Sequence, residues 1–264
     1  VTAAEPRPGG LVGALRDGCV LAGRGIRKIR RNPEHLVDVT VQPVLFLVMF
    51  GYLFGGAIAG STAAYLQDLV PGLMAPSVLM ATLSAGVGLN TDAGSGMFDR
   101  FRSMPIARSA PLTGVVLAGA VRYLIAVGVV LAVGAVLGFR VRTGPAEVLV
   151  ATALLVAAGL CFCWVTVFLG MVLRHPDGVQ GTAVALFMPL VFASSVFVPD
   201  ATMPHWLRAW SAVNPVSLLT EAVRGLLNGR PVEAPLAGAL AWLAGVLVVF
   251  FPLAIRAYLR RVQT

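Results

Sequence analysis

Long uncharged stretches of the chain alternate with short segments that hold nearly all of its arginines. A helix rises 1.5 Å per residue, so it needs about 20 apolar residues to cross a hydrocarbon layer roughly 30 Å thick. Stretches of that length run over about 39–59, 69–91, 112–139, 148–173, 178–199 and 234–255. The third is uncharged only from Tyr123 to Phe139 and reaches back to 112 if Arg122 is tolerated inside it. The pattern predicts an all-α integral membrane protein. Six transmembrane helices fill residues 38–264, and residues 1–37 precede them.

Two amphipathic segments do not fit a spanning helix. In residues 11–31, Leu11, Leu15, Gly18, Ala22, Ile26 and Ile29 fall near one helical face, and Arg24, Arg27, Lys28 and Arg31 gather on the other. Such a helix is expected to lie in the membrane interface with its cations toward anionic lipid headgroups. In residues 200–233, Asn214 is a suitable N-cap, Pro215 a first helical residue, and Gly229 with Pro231 a stop. Leu218, Leu219, Val223, Leu226 and Leu227 recur at helical spacing, opposite Glu221 and Arg224, which can pair three residues apart. The expectation is a short re-entrant helix between the fifth and sixth spans, or a cap on the bundle. A smaller piece at Pro204–Ala212 precedes it and carries Trp206 and Trp210, residues suited to an interfacial belt.

Composition supports the membrane assignment: 58% of the residues are hydrophobic, 12% are charged, and the net charge is +8. Nineteen arginines and the single Lys28 lie between apolar runs, which points to the membrane surface and away from nucleic acid. With six spans both termini share a side. That side carries 14 cations, in 1–37, 92–110, 174–177 and 256–264, and the opposite side has Arg140, Arg142, Arg208, Arg224 and Arg230. The bias places both termini in the cytoplasm of a bacterial plasma membrane. No cleavable signal is visible, since the first apolar run begins at Val39. Arg122 reads either as a counter-charge for a substrate or as an interfacial anchor beside Tyr123.

Several chemistries lack their residues. No Gly-Lys-Ser/Thr phosphate loop occurs, so ATP hydrolysis by that route needs another chain. His35, His175 and His205 are isolated, no Gly-x-Ser-x-Gly elbow exists, and no carboxylate sits inside a predicted span. Cys19, Cys161 and Cys163 read as small buried hydrophobes, with no catalytic, cofactor-binding or metal site implied. The Gly-x-x-x-Gly pairs, such as Gly51/Gly55, imply close packing only.

NTDAGSGMFDRFRSMPIARSAPLTG at 90–114, PDATMPHWLRAWSAVNPVSLLTEAVRGLLNG at 199–229 and FGYLFGGAIAG at the end of the first span resemble permease subunits of type-2 ABC exporters, in particular the daunorubicin/doxorubicin-resistance branch. The resemblance implies six helices, an amphipathic helix before them and re-entrant helices between the fifth and sixth. It also implies two permease copies, identical or homologous, joined to two copies of a separate ATP-binding subunit that holds ATP and magnesium. In the family the loop between the second and third spans seats a coupling helix on that motor. The matching positions are Phe98, Asp99, Arg100, Phe101, Arg102, Met104 and Pro105, with phenylalanines as anchors and charges fixing orientation. His175, Asp177 and Gln180 are secondary candidates for motor contact.

A substrate path would then run between the copies along the first, second and fifth spans. By residue type its lining draws on Phe46, Met49, Phe50, Met80, Ser84, Phe187, Phe192, Ser194, Ser195 and Phe197, although ordinary helix packing explains any one of them equally well. The expected activity is outward movement of an amphipathic drug-like or lipid molecule by alternating access. The alternatives are export of cell-wall polymer or glycolipid, and a non-transport intramembrane enzyme or anchor.

Overall fold

The computed structural model describes residues 34–95, 110–198 and 202–263. The predicted interface helix with Arg24, Arg27, Lys28 and Arg31, and the coupling positions Phe98, Asp99, Arg100, Phe101, Arg102, Met104 and Pro105, lie outside them.

Among the described residues there are nine helices and no strand: α1 (Glu34–Ala59), α2 (Thr62–Ala81), α3 (Leu83–Gly94), α4 (Ala110–Leu137), α5 (Pro145–Val172), α6 (Pro176–Phe192), α7 (His205–Ser211), α8 (Pro215–Asn228) and α9 (Glu233–Gln263). Among the described residues, five helical stretches are long and apolar enough to cross a membrane: 40–59, 62–94, 114–137, 145–172 and 233–261. In lipid a helix is the natural form of such a stretch, because all its backbone hydrogen bonds are internal.

Several helix limits differ from the expected ones, and two of them bear on the site. The second stretch begins at Thr62, not 69, because Ser61 caps it by accepting the Ala64 N–H at 3.2 Å. Asp68 therefore lies inside α2, where Arg230 neutralises it at 2.7 Å. The fifth stretch ends at Phe192, short of 199. Pro189 supplies no N–H to the carbonyl of Ala185, and beyond Phe192 the chain turns through 193–198 with its carbonyls taken up by side chains. At 17 residues, α6 spans only about 25 Å.

The rod of α2 and α3 is interrupted at Thr82, whose N–H bonds back to Leu79 and whose carbonyl accepts from Ala85, both at 3.1 Å. Thr166 of α5 donates its hydroxyl to the same Thr82 carbonyl at 2.9 Å. The turn is thus tightened to i→i+3 bonding and held from outside.

α2 forms the centre of the bundle. Leu66, Leu69, Val70, Leu73 and Met74 are buried with Tyr123, Leu155, Phe187 and Val223 from four other helices. Close approaches depend on glycine: a Cβ on Gly86 of α3 would collide with the Thr166 carbonyl, and one on Gly170 of α5 with the Gly86 carbonyl. Of the glycine pairs seen in the sequence, Gly51/Gly55 does mediate packing, with Gly55 against the backbone of Thr62. Outward positions of α1 and α9 are apolar instead of polar; Leu53 is 67% exposed and Val248 72%. Lipid, not water, is the solvent such faces fit. Cys163 is buried and Cys161 half-buried, both as free thiols, and no group of metal-ligating side chains is present among the described residues.

Candidate functional site

Breaking a helix inside a membrane exposes carbonyls that lipid cannot satisfy, so any such break must be met by donors from elsewhere in the protein. The turn after α6 leaves its carbonyls to be met in the same way. Ser194 donates to the Val191 carbonyl, and Asn214 donates to the carbonyls of Leu190 at 2.8 Å and Ala193 at 3.1 Å. The guanidinium of Arg224 holds the next two, with Nη1 on Ser195 O and Nη2 on Val196 O, each at 2.9 Å. Tyr65 of α2 donates its hydroxyl to Phe197 O at 2.8 Å. On the donor side, the Ser195 N–H bonds Ser217 Oγ at 3.2 Å.

The same face of α8 satisfies α2. Pro71 and Pro76 cannot donate to the carbonyls of Gln67 and Gly72 four residues earlier. Asn228 donates to Gln67 O at 2.9 Å, Thr220 reaches Gly72 O at 3.5 Å, and Arg224 Nε donates to Asp68 O at 3.0 Å. Glu221 accepts from Arg224 at 2.7 Å and from Ser195 Oγ at 3.0 Å.

Ser217, Thr220, Glu221, Arg224 and Asn228 therefore form one inward stripe, at spacings of three, four, seven and eleven residues. Glu221 and Arg224 lie opposite the leucines and pair as the spacing predicts, but on a face that packs inward. Arg224 is only 7% exposed, and α8 is buried on both sides between α2, α5 and α9. Hydrogen-bond demand from the two prolines and the turn outweighs the usual preference of charge for water. Tyr65, Ser217, Thr220 and Asn228 were not singled out from sequence. The signal available was the polar stripe in 217–228 together with two prolines five apart in the second span.

The ends of α8 match expectation. Asn214 Oδ1 accepts the Val216 N–H at 2.9 Å, Pro215 opens the helix, and Gly229 closes it at φ +73°, a left-handed conformation suited to glycine. The loop before α5 grips its last turn, through Arg142 N–H on Leu227 O and Thr143 Oγ1 on Leu226 O. Trp206 and Trp210 on α7 are exposed, as an interfacial belt requires.

Beside this knot lies an aromatic ladder. Phe50 stacks on Phe54 at 5.3 Å and on Phe197 at 4.5 Å, Phe46 meets Phe50 edge-on at 5.9 Å, and Phe192 stacks on Phe197 at 5.5 Å. Its Phe54 and Phe192 ends are exposed, and Met49 is exposed nearby on α1. Four of the residues selected from sequence as path lining, Phe46, Phe50, Phe192 and Phe197, are thus brought together with Phe54. The others lie apart. Phe187 is buried edge-on against Phe162; Ser194 and Ser195 are buried in the turn; Met80 and Ser84 are half-buried around the Thr82 break, with Ser84 bonded to Ala81 O.

At the opposite end of the bundle, Asn90 and Arg261 converge on the C-terminus of α5. Both donate to the carbonyls of Gly170 and Leu173, and Arg261 also to Met171. A cation at a helix C-terminus is favoured by the helix dipole. This clamp sets the short loop before α6, where His175, Asp177 and Gln180 are exposed.

The described residues thus form a helical membrane bundle in which side chains satisfy the turn after α6, beside a ladder of stacked phenylalanines. The chain belongs to the ABC-2 type transporter family, whose model matches residues 17–228. It is 38% identical to the daunorubicin resistance ABC transporter permease protein DrrB1 of Streptomyces coeruleorubidus, over 89% of this chain and 83% of that protein. It is 28% identical to the probable doxorubicin resistance ABC transporter permease protein DrrC of Mycobacterium tuberculosis, over 83% and 80%. A putative transport permease, ycf38, of Cyanophora paradoxa is 28% identical over 79% and 73%. The protein is a multi-pass membrane permease that works with a separate ATP-binding subunit.

Proposed function

We propose that this permease exports a planar or greasy amphipathic molecule of the anthracycline kind along a groove lined by Phe46, Phe50, Phe54, Phe192 and Phe197. The observation that carries the reading is the stacking of these rings at the exposed edge between α1 and the end of α6. Offset aromatic stacks accept a further flat ring at little reorganisation cost. The names of the relatives cited above, resistance permeases for daunorubicin and doxorubicin, agree with such a ligand.

In this reading the chain crosses the membrane six times. α6 and the turn after it make the fifth crossing, and α7 and α8 fold back into the outer leaflet. The amphipathic segment with Arg24, Arg27, Lys28 and Arg31 lies on the inner leaflet, and both termini are cytoplasmic in a bacterial plasma membrane. Two permease copies, identical or homologous, face each other across the aromatic groove. Two ATP-binding subunits supply ATP and magnesium and grip Phe98 and Phe101, while Asp99, Arg100 and Arg102 fix their orientation. The permease itself binds no cofactor.

The test is reconstitution with the cognate ATP-binding subunit, followed by ATPase and efflux assays with daunorubicin. Stimulated hydrolysis and outward transport are expected. A complex that assembles and hydrolyses ATP, yet ignores daunorubicin and other planar amphiphiles, would overturn the substrate class.

A further inference from the structure

Arg122 is a cation well inside α4, 12 residues from its start and 15 from its end. At 1.5 Å per residue it lies about 18 Å from the N-terminal end of the helix. Its neighbour across the helix interface, Cys163, lies nine residues from the C-terminal end of α5, about 14 Å in, so both helices place it deep in the bundle. The side chain is half-buried, its Nε is fully enclosed, and it makes no hydrogen bond or ion pair with any described residue. Its electrostatic neighbours are the hydroxyl of Tyr123 and the thiol of Cys163, groups that are ordinarily neutral at pH 7. The interfacial-anchor reading made Tyr123 a headgroup contact. Instead Tyr123 is fully buried, with its ring against Gly159 and its hydroxyl against Gly119.

Among the described residues, the other two arginines that are not exposed are answered. Arg224 has Glu221 and three carbonyls, and Arg261 has three carbonyls. An uncompensated guanidinium in hydrocarbon is costly and marks a binding position when a partner is absent from the protein. Helical side chains lean toward the N-terminus, which carries this one over Ala118, a small, half-buried residue one turn back.

We infer that Arg122 is an anion-binding site within the membrane, taking a single phosphate or carboxylate of an amphipathic molecule that enters laterally beside α4. Two sources share this chemistry, the headgroup of an acidic phospholipid and a free amphipathic acid. The guanidinium would hold either in a bidentate pair, strengthened by the low dielectric around it. The site does not depend on the aromatic groove or on the direction of transport.

The experiment uses the full chain purified in dodecyl maltoside after incorporation into vesicles of phosphatidylcholine and phosphatidylglycerol at three to one, with retained lipid measured by native mass spectrometry. A second arm follows dodecyl phosphate binding through the rise it causes in melting temperature. Wild type is expected to retain phosphatidylglycerol selectively, to be stabilised by dodecyl phosphate, or both. Arg122→Gln should weaken whichever binding is seen about tenfold or more, and Arg122→Lys less, because it keeps charge but loses the fork. Arg256→Gln removes the same charge from an exposed position on α9 and should change neither.

Loss confined to phosphatidylglycerol identifies a lipid headgroup, and loss confined to dodecyl phosphate identifies a free amphipathic acid. If wild type shows neither binding, or if Arg122→Gln binds as wild type does, the site does not exist. Equal losses in Arg256→Gln and Arg122→Gln would overturn it in favour of diffuse charge attraction. If Arg122→Gln does not purify as a folded chain, wild-type binding and the Arg122→Lys decrease still decide.

Discussion

Arg224 Nη1 lies 2.7 Å from Glu221 Oε1, and the same guanidinium donates to the backbone carbonyls of Asp68, Ser195 and Val196. One side chain thus ties three parts of the bundle together: α2, the turn after α6, and α8. Removing it would leave three backbone carbonyls without this donor.

Arg224→Ala should therefore lower stability by about 3–5 kcal/mol, the range for breaking a buried charged pair. Arg224→Lys should fall in between, since lysine cannot span the same acceptors. Glu221→Gln should cost less, because its side chain is about one-third exposed (33%) and its remaining oxygen can still accept. Thermal unfolding of the purified chain in detergent checks the order. Equal melting temperatures for Arg224→Ala and wild type would show that the knot holds nothing.

Asn214 caps α8 and also supplies both hydrogens of its amide to the end of α6. Asn214→Asp keeps the cap and loses the two donors; Asn214→Ala loses both functions. The expected losses are about 1–2 and about 2–3 kcal/mol respectively, on the scale of single caps and buried hydrogen bonds. Comparing the two melts separates capping from carbonyl satisfaction.

Gly86 and Gly170 each leave no room for a methyl group against the facing backbone. Gly86→Ala and Gly170→Ala should each destabilise by about 1–3 kcal/mol by pushing α3 from α5. The double variant should cost less than the sum, because one separation relieves both clashes. Strict additivity in a thermal melt would contradict a shared contact.

Phe50→Ala and Phe197→Ala remove opposite sides of the closest stacked pair, at 4.5 Å. Under the proposed function, each should reduce daunorubicin-stimulated ATP hydrolysis several-fold while basal hydrolysis by the assembled complex persists. Phe187→Leu, in the buried core away from the ladder, serves as the packing control.

Phe98→Ala with Phe101→Ala tests the proposed grip on the motor. Membrane insertion should remain and co-purification with the ATP-binding subunit should fail. A double variant that assembles and hydrolyses ATP normally removes the coupling role from these positions.

The helical membrane class, the positions of the long apolar elements and the ends of α8 were legible because they depend on local properties: run length, a capping asparagine, a first-turn proline and a terminating glycine. The family resemblance was legible in contiguous motifs such as NPVSLLTEAVRGLLNG. The aromatic ladder was partly legible, since Phe46, Phe50, Phe192 and Phe197 could be selected by type, but nothing in the sequence said that Phe197 would turn back onto Phe50 while Phe187 entered the core.

The orientation of α8 required the tertiary structure. Its leucines and its glutamate and arginine marked two opposite faces without saying what either would meet. Two prolines in α2 and a terminated α6 left carbonyls without donors more than 20 residues away in sequence, and that demand turned Thr220, Glu221, Arg224 and Asn228 inward. Sequence by itself determined which segments could live in lipid, because hydrocarbon tests each helix separately for its apolar length. Only the tertiary structure decided where the polar side chains point, because an unsatisfied carbonyl accepts from whichever donor the packing brings within reach.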